Sequence, residues 1–396
     1  MRAVILAAGE GTRLGPLTYS EPKVMIPVAN KPILQHIVEA LVADGVRDIL
    51  LVTGYKRERI QSHFQDGKHF GASIEYVYQA KQMGTAHALL AAKGKVDGEF
   101  LVLPGDNLVD GKALGDLLRH EAPLKALVVE SETPSKYGVV TLEHGRVTSI
   151  VEKPQAQISN LISTGIYQLT TDIFPVIEQL TAKGRYDLTE SVQALVAQSR
   201  VVGVTTEGAW ADAVYPWDLL RLNVSALDRI EAVKSGTVES SVNIRGKVSL
   251  GNGTVIRSGS YLWGPVSIGE GCEIGPSAVV LPGTSIGDDV EVGAFTQIED
   301  SIVMKDASIG PSSFLSHSIL GRGVHTGPHF SAVSGKADVR IDEEWHSVPE
   351  VGAFIGEDSV LANGVGLSPG VIVGAHCRVG PLTRIRENIP NGSIVV

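Results

Sequence analysis

The first stretch able to do anion chemistry is LAAGEGTRL, residues 6–14, where Gly9 and Gly11 precede Arg13, with Lys23 following in YSEPKVMIP. Glycine carries no Cβ, so its backbone N–H groups can approach an anion closely, and successive N–H groups in a turn form an anion-binding concavity. Arg13 and Lys23 would then neutralise the bound charge. A tight strand-to-helix turn carrying solvated cations fits the same residues. The spacing excludes two common nucleotide loops: G-x-G-x-x-G meets Leu14 where its third glycine should stand, and the G-K-S/T ending of a P-loop is absent.

The rest of the chain must place that loop. With 396 residues it exceeds ordinary single-domain size, so two domains are expected, each with its own core. A formal charge of -10 argues against a general nucleic-acid or membrane surface, so an anion would be held by local cations against an acidic background. That points to a small phosphorylated ligand. Cys272 and Cys377 are too few and too far apart for a disulfide framework or zinc site. No apolar run reaches membrane-spanning length or reads as a signal peptide, and a reducing cytoplasm is the expected compartment.

Up to about residue 230, apolar β-rich runs alternate with helical patterns: RAVILAAG, PILQHIVEALVADG, DILLVTG, KRERIQSHFQ, SIEYVYQ, TAHALLAAKG, EFLVLPGD and KALVVES. Runs such as DILLVTG are continuously apolar, the mark of strands covered on both faces. An α/β fold with a mainly parallel sheet follows. In such sheets ligands lie beyond the carboxyl ends of the strands, where AAGEGTR and PGDN fall.

The second half changes period. Aliphatic residues recur every six positions from Ile244 through Ile256, Ile268, Val280 and Val292 to Ile298, and after an interruption the register resumes from Ile355 to Ile385. A strict period of six predicts a parallel β-helix, each hexad forming one short side of a coil with its aliphatic residue on the axis. The run WDLLRLNVSALDRIEAVKSG has helical spacing and predicts a connecting helix, which sets the domains at 1–234 and 235–396. Residues 328–352 break the hexads and are expected to form a loop thrown out of the coil.

Taken in order, LAAGEGTRL, EPKVMIPVANKPIL, QAKQMGTAHAL, LPGDN, KYGVV, VEKP, STGIY and WADAVYPWDLL resemble the signature of the sugar-1-phosphate nucleotidylyltransferases across roughly the first 225 residues. The hexads are similar to the left-handed β-helix that many members carry. The resemblance implies a Rossmann-like catalytic domain that joins a nucleoside triphosphate to a sugar 1-phosphate and releases pyrophosphate. It implies Arg13 on the triphosphate, Lys23 at the α-phosphate and incoming sugar phosphate, and Asp106 with Asp212 as ligands of Mg2+. Nucleotide contacts would come from Leu6, Ala8, Gly9, Gly11, Thr12, Gln79, Gln82, Gly84 and Thr85. Sugar contacts would come from Tyr137, Gly138, Glu152, Lys153 and Thr164. Taken singly, Asp106 also fits a turn and Asp212 an exposed charge. In the usual N-T-G triplet Ser163 replaces asparagine, which leaves the sugar open; UTP or dTTP with glucose or N-acetylglucosamine 1-phosphate are the expected substrates. A homotrimer built through the coil is implied too.

Related coils acetylate glucosamine 1-phosphate with acetyl-CoA, using a histidine base, a tyrosine and an asparagine. Aligned without gaps, those positions hold Pro311, Phe314 and Ser334, and proline cannot act as a base. His317, His325 and His329 stand nearby. A structural coil is the expectation, with a bifunctional acetyltransferase and a non-catalytic scaffold paralogue as the alternatives.

Overall fold

The computed structural model describes residues 1–198 and 200–396 and divides into two compact units. The first comprises residues 1–10 and 33–212, the second residues 11–32 and 213–396.

In the first unit, strands Ser73–Tyr78, Asp48–Thr53, Arg2–Ala7 and Glu99–Pro104 lie side by side and parallel. The continuously apolar runs are these strands: Ile49 to Val52 and Phe100 to Leu103 are fully buried. Helix Ile33–Ala43 packs Ile33, Leu34, Ile37, Val38 and Leu41 inward, the spacing of one helical face. Beyond Glu99–Pro104 the sheet becomes mixed. Leu161–Thr170 joins it antiparallel, followed by Lys125–Glu130, Val202–Thr205, Arg146–Glu152 and Gly138–Glu143. Val139 pairs back to Ile162, closing these last strands into a small barrel. The short turn at His144 and Gly145, both with positive φ, returns the chain as a hairpin, which forces antiparallel order there.

The second unit contains helix Pro216–Leu227 and three stacks of short parallel strands, consistent with a left-handed β-helix. Ile256 pairs with Ile274 and Ile274 with Val292, a step of eighteen residues, so three hexads make one turn. The axis is filled by the predicted aliphatic residues: Ile256, Leu262, Ile274, Val280 and Ile298 are all 0% exposed. The apparent interruption after Ile298 is not a break in the coil. Ile286 pairs with Val303 and Val303 with Leu320, so residues 302–332 continue all three stacks with one side of each turn a residue shorter, which throws the six-residue register off. The excursion is an antiparallel hairpin, Gly335–Ile341 with Glu344–Val351. His325, Thr326 and Ser331 still belong to the coil. Cys272 and Cys377 are free and buried, their thiols donating to the Gly287 and Pro390 carbonyls.

Stacked axis residues give the coil its cohesion, since each turn covers its neighbours' apolar surface. Ile274→Ala should destabilise the coil by about 2–5 kcal/mol, as for other large-to-small core changes. A calorimetric scan of the full chain checks this, and an unshifted coil transition would contradict the stacking account.

Candidate functional site

The glycine loop begins where the first strand ends between its neighbours. Leu6 O accepts from Gly105 N at 2.9 Å and Ala8 O from Tyr55 N at 3.2 Å, so the chain is clamped on both sides just before Gly9. A Cβ on Gly9 would meet nothing within 4 Å, so this glycine is not required by the surrounding packing. Gly11 is different. It has φ 72, and a Cβ there would fall 2.5 Å from Cβ of Lys23, so the lysine stem lies directly on the bare glycine. Thr18 Oγ1 donates to Gly11 O at 3.1 Å and Leu14 N to the same oxygen at 2.9 Å. Thr12 and Arg13 form a single 3-10 turn with Leu14, and their side chains are exposed. Arg13 lies close enough to Tyr215 to offset part of the rise that burial imposes on the phenol's pKa. The packing of Gly11 on Lys23 belongs to the second unit, whereas Leu6, Ala8 and Gly9 belong to the first.

Asp106 follows the strand Glu99–Pro104 and precedes the short strand Asn107–Val109. That strand pairs antiparallel with Trp210–Asp212, which sets Asp212 opposite Asn107. Two motif carboxylates far apart in sequence thus stand on adjoining backbone positions of the first unit. Tyr137 is the third partner: its hydroxyl donates to Asp212 Oδ1 at 2.9 Å, and its ring meets Trp210 edge-on at 5.6 Å. The sequence offered no signal for this contact. Asn107 Nδ2 donates to Thr164 O at 3.0 Å, which ties the same strand to the STG segment. Paired half-exposed carboxylates supply the hard oxygen donors that Mg2+ prefers, so the residues fit the ion. The only cluster of three metal-capable side chains among the described residues lies elsewhere, at Glu357, Asp358 and His376.

Around the sugar motifs, Gly138 is buried, and a Cβ on it would come within 3.1 Å of Glu152 Oε2 and 3.2 Å of the Thr189 methyl. Lys153 has φ 43, and its N–H donates to Tyr137 O at 3.0 Å. Although Glu152 is exposed as a residue, its carboxyl tip sits among Gly138, Thr189 and Asp187. Desolvation, and secondarily the charge of Asp187, push its pKa above the usual glutamate range. Thr164 is buried and its hydroxyl donates to Leu127 O at 2.9 Å, while Ser163 Oγ bonds the Tyr167 hydroxyl at 2.7 Å. Both hydroxyls are therefore engaged within the protein.

Gln79 is buried, its amide bonded to His87 Nδ1 at 2.8 Å and directed at Gly84 O at 3.4 Å. Gly84, with φ 141, lies so close to Tyr186 that a Cβ would sit 2.6 Å from that residue's carbonyl oxygen. Thr85 begins the helix Thr85–Leu90, and its hydroxyl accepts from Leu188 N at 2.9 Å. Gln82 is exposed, and its amide lies 2.8 Å from where a Cβ on Gly54 would sit.

The model for the nucleotidyl transferase family matches residues 2–228, and that for the GMPPB C-terminal domain matches residues 262–395. The bifunctional protein GlmU of Methanococcus maripaludis is 36% identical over all of this chain and 97% of its own length. The chain belongs to the GlmU-like sugar-1-phosphate nucleotidyltransferase family. Its N-terminal part is also 39% identical to the UTP--glucose-1-phosphate uridylyltransferase AglF of Haloferax volcanii, over 55% of this chain and 93% of that protein. A crystal structure assigned to a glucose-1-phosphate thymidylyltransferase of Bacillus anthracis superimposes with a TM-score of 0.55 at 28% identity, covering 59% of this chain and 98% of that one. As a family member the chain is a nucleotidyltransferase enzyme with a divalent-metal-dependent mechanism.

Two expectations follow from the geometry. Gly11→Ala should displace Lys23 and strain the left-handed backbone, lowering kcat at least tenfold, whereas Gly9→Ala has room in the free protein and should raise KM for the nucleotide only. Steady-state kinetics on both variants, with equal effects on both constants, would contradict the distinction. A raised Glu152 pKa means that the fold favours the protonated form: its contribution to stability is present below the ordinary glutamate pKa and is lost as pH rises through the raised one. A sugar hydroxyl instead needs the carboxylate as acceptor, so KM for the sugar phosphate should climb on acidification from a pH above the normal glutamate range. Glu152→Gln should flatten that rise, and an unchanged profile would exclude Glu152 from the sugar site.

Proposed function

We propose that the chain catalyses Mg2+-dependent transfer of a uridylyl or thymidylyl group from UTP or dTTP to glucose 1-phosphate or N-acetylglucosamine 1-phosphate, giving a nucleotide sugar and pyrophosphate. The observation that carries this reading is the strand pairing of Asp212 with Asn107, next to Asp106, with Tyr137 bonded to the Asp212 carboxylate. AglF supports UTP and glucose 1-phosphate, the Bacillus structure supports the thymidylyl side, and the GTAHAL segment keeps N-acetylglucosamine 1-phosphate among the candidate substrates.

In this reading an oxygen of the sugar phosphate attacks the α-phosphorus in line, and the bond to the pyrophosphate oxygen breaks. No protein nucleophile is needed, so the residues orient and neutralise. Arg13 holds the triphosphate. Lys23, propped on Gly11, offsets charge on the α-phosphate and the incoming sugar phosphate. The backbone from Leu6 to Thr12 meets the phosphates, and Gln82, Gly84 and Thr85 face the base, with Gln79 behind them fixing Gly84. Asp106 and Asp212 would hold Mg2+, which when bound would offset phosphate charge. Gly138 gives the sugar access beside Glu152 and Lys153. Thr164 acts through its backbone, which orders Asn107. Catalysis is assigned to residues 1–234 and assembly, as a cytoplasmic homotrimer, to the coil in 235–396. Among the described residues no helix is long and apolar enough to cross a membrane.

Acetyl transfer by the coil has less support. Pro311 supplies no base, Phe314 no hydroxyl and Ser334 no amide at the three positions, and Ser334 Oγ is bonded to Glu350 and to Ser316. Of the nearby histidines, His317 is held by Ser316 Oγ at 3.0 Å and lies 3.7 Å from Asp300.

The test is pyrophosphate release across a panel of triphosphates and sugar phosphates. Asp106→Asn and Asp212→Asn should abolish turnover without moving the melting curve, and Lys23→Ala should cost about 3 kcal/mol of transition-state stabilisation, as deletion of an oriented charge-stabilising donor does. Near-native rates in both aspartate variants would remove the metal assignment.

A further inference from the structure

The segment that carries Arg13 and Lys23 packs with the coil, within the second unit. Three ties hold it. Ser20 Oγ donates to Glu357 Oε2, and Glu357 is 8% exposed on a coil turn. Beside it, Tyr19 meets His376 edge-on with ring centroids 5.2 Å apart, while Arg322 lies 3.8 Å from both Glu357 and Asp358. At the far end of the segment, Ala29 N donates to Asn223 Oδ1 at 2.7 Å. Asn223 is fully buried; it also accepts from Ser285 Oγ at 2.8 Å and donates to Gly283 O at 2.7 Å. Asn30 Nδ2 completes the tie by donating to Ile286 O at 2.7 Å and Ser267 Oγ at 3.1 Å. Ala29 and Asn30 both have positive φ, so the chain bends sharply onto these partners.

Lys23 stands between the two anchors, three residues after Ser20 and six before Ala29. So short a span, pinned at both ends and resting on Gly11, restricts how far its ammonium group can move. The Glu357, Asp358 and His376 group also has a use here without any ion: Glu357 is an acceptor for the segment, and Arg322 offsets the carboxylate charge.

We propose that the coil is a positioning element for nucleotidyl transfer, with Glu357 acting through Ser20, and Ser285 and Gly283 acting through the helix residue Asn223 and Ala29, to fix Lys23. This rests on the reading that Lys23 serves the reacting phosphates. Ser20 and Glu357 touch no substrate in this scheme and are positioning residues. Misplacing a catalytic group by about 1 Å can cost on the order of 100-fold in rate.

The experiment uses the full-length chain throughout. Ser20→Ala and Glu357→Ala should each lower kcat by about tenfold to 100-fold with little change in the sugar-phosphate KM, and Ser20→Thr, which keeps the hydroxyl, should recover most of the loss. The double variant should lose no more than the worse single variant, because both remove one tie. Hydrogen exchange without substrates should show residues 18–29 losing protection in the alanine variants while the rest of the coil keeps it. Additive losses, failure of threonine to rescue, or unchanged kcat despite lost protection would each overturn the proposal. If the native chain turned over no substrate pair, the functional reading would fall by itself. Exchange would still decide the anchor, and unchanged protection of residues 18–29 would refute it.

Discussion

Two polyanions must come within bonding distance on a chain whose own formal charge is -10. At an effective dielectric constant near 20, unit charges about 4 Å apart repel by roughly 4 kcal/mol, and a triphosphate meeting a sugar phosphate presents several such pairs. The cations and carboxylates assigned to this task are few, and two of them are visibly held in place. Lys23 rests on a glycine that can bear no Cβ, and Asp212 is set by a strand pair and bonded by a phenol. Fixed charges of this kind stabilise a transition state without reorganising during the reaction.

The fold supplies rigidity in two ways. Parallel strands buried on both faces bring the glycine loop and the PGDN turn to the same end of the sheet, joined by the bond from Gly105 N to Leu6 O. The coil offers a regular array of carbonyls, hydroxyls and carboxylates, and the segment from Gly11 to Pro32 draws on it through Glu357, Ser267 and Ile286, and through Asn223 of the helix Pro216–Leu227, itself bonded to Ser285 and Gly283 of the coil. The coil therefore has direct contact with the segment that carries Arg13 and Lys23.

Much of this was legible in the sequence because it is periodic or local. Six-residue spacing fixes which aliphatic residues meet on the coil axis, and continuous apolar runs mark the doubly covered strands. Sides of five residues were not legible: the shorter repeats at Val303 and Leu320 shift the register, so a strict count sees an interruption where the stack is unbroken. The antiparallel part of the sheet was hidden for a similar reason, since its strands look alike whether they return by a crossover or a hairpin. The candidate site residues were identifiable only from motifs in order. Neither Tyr137 on Asp212 nor Glu357 on Ser20 could be read, because each joins residues far apart in the chain through a single side-chain bond.

The central claim is that Asp106 and Asp212 together hold a divalent ion with the nucleotide. Electron paramagnetic resonance of Mn2+ titrated into the full chain, with and without UTP or dTTP, tests it most directly. The account predicts a site whose affinity rises when nucleotide is present and which is lost in both Asp106→Asn and Asp212→Asn. Undiminished nucleotide-dependent Mn2+ binding in those two variants would contradict it.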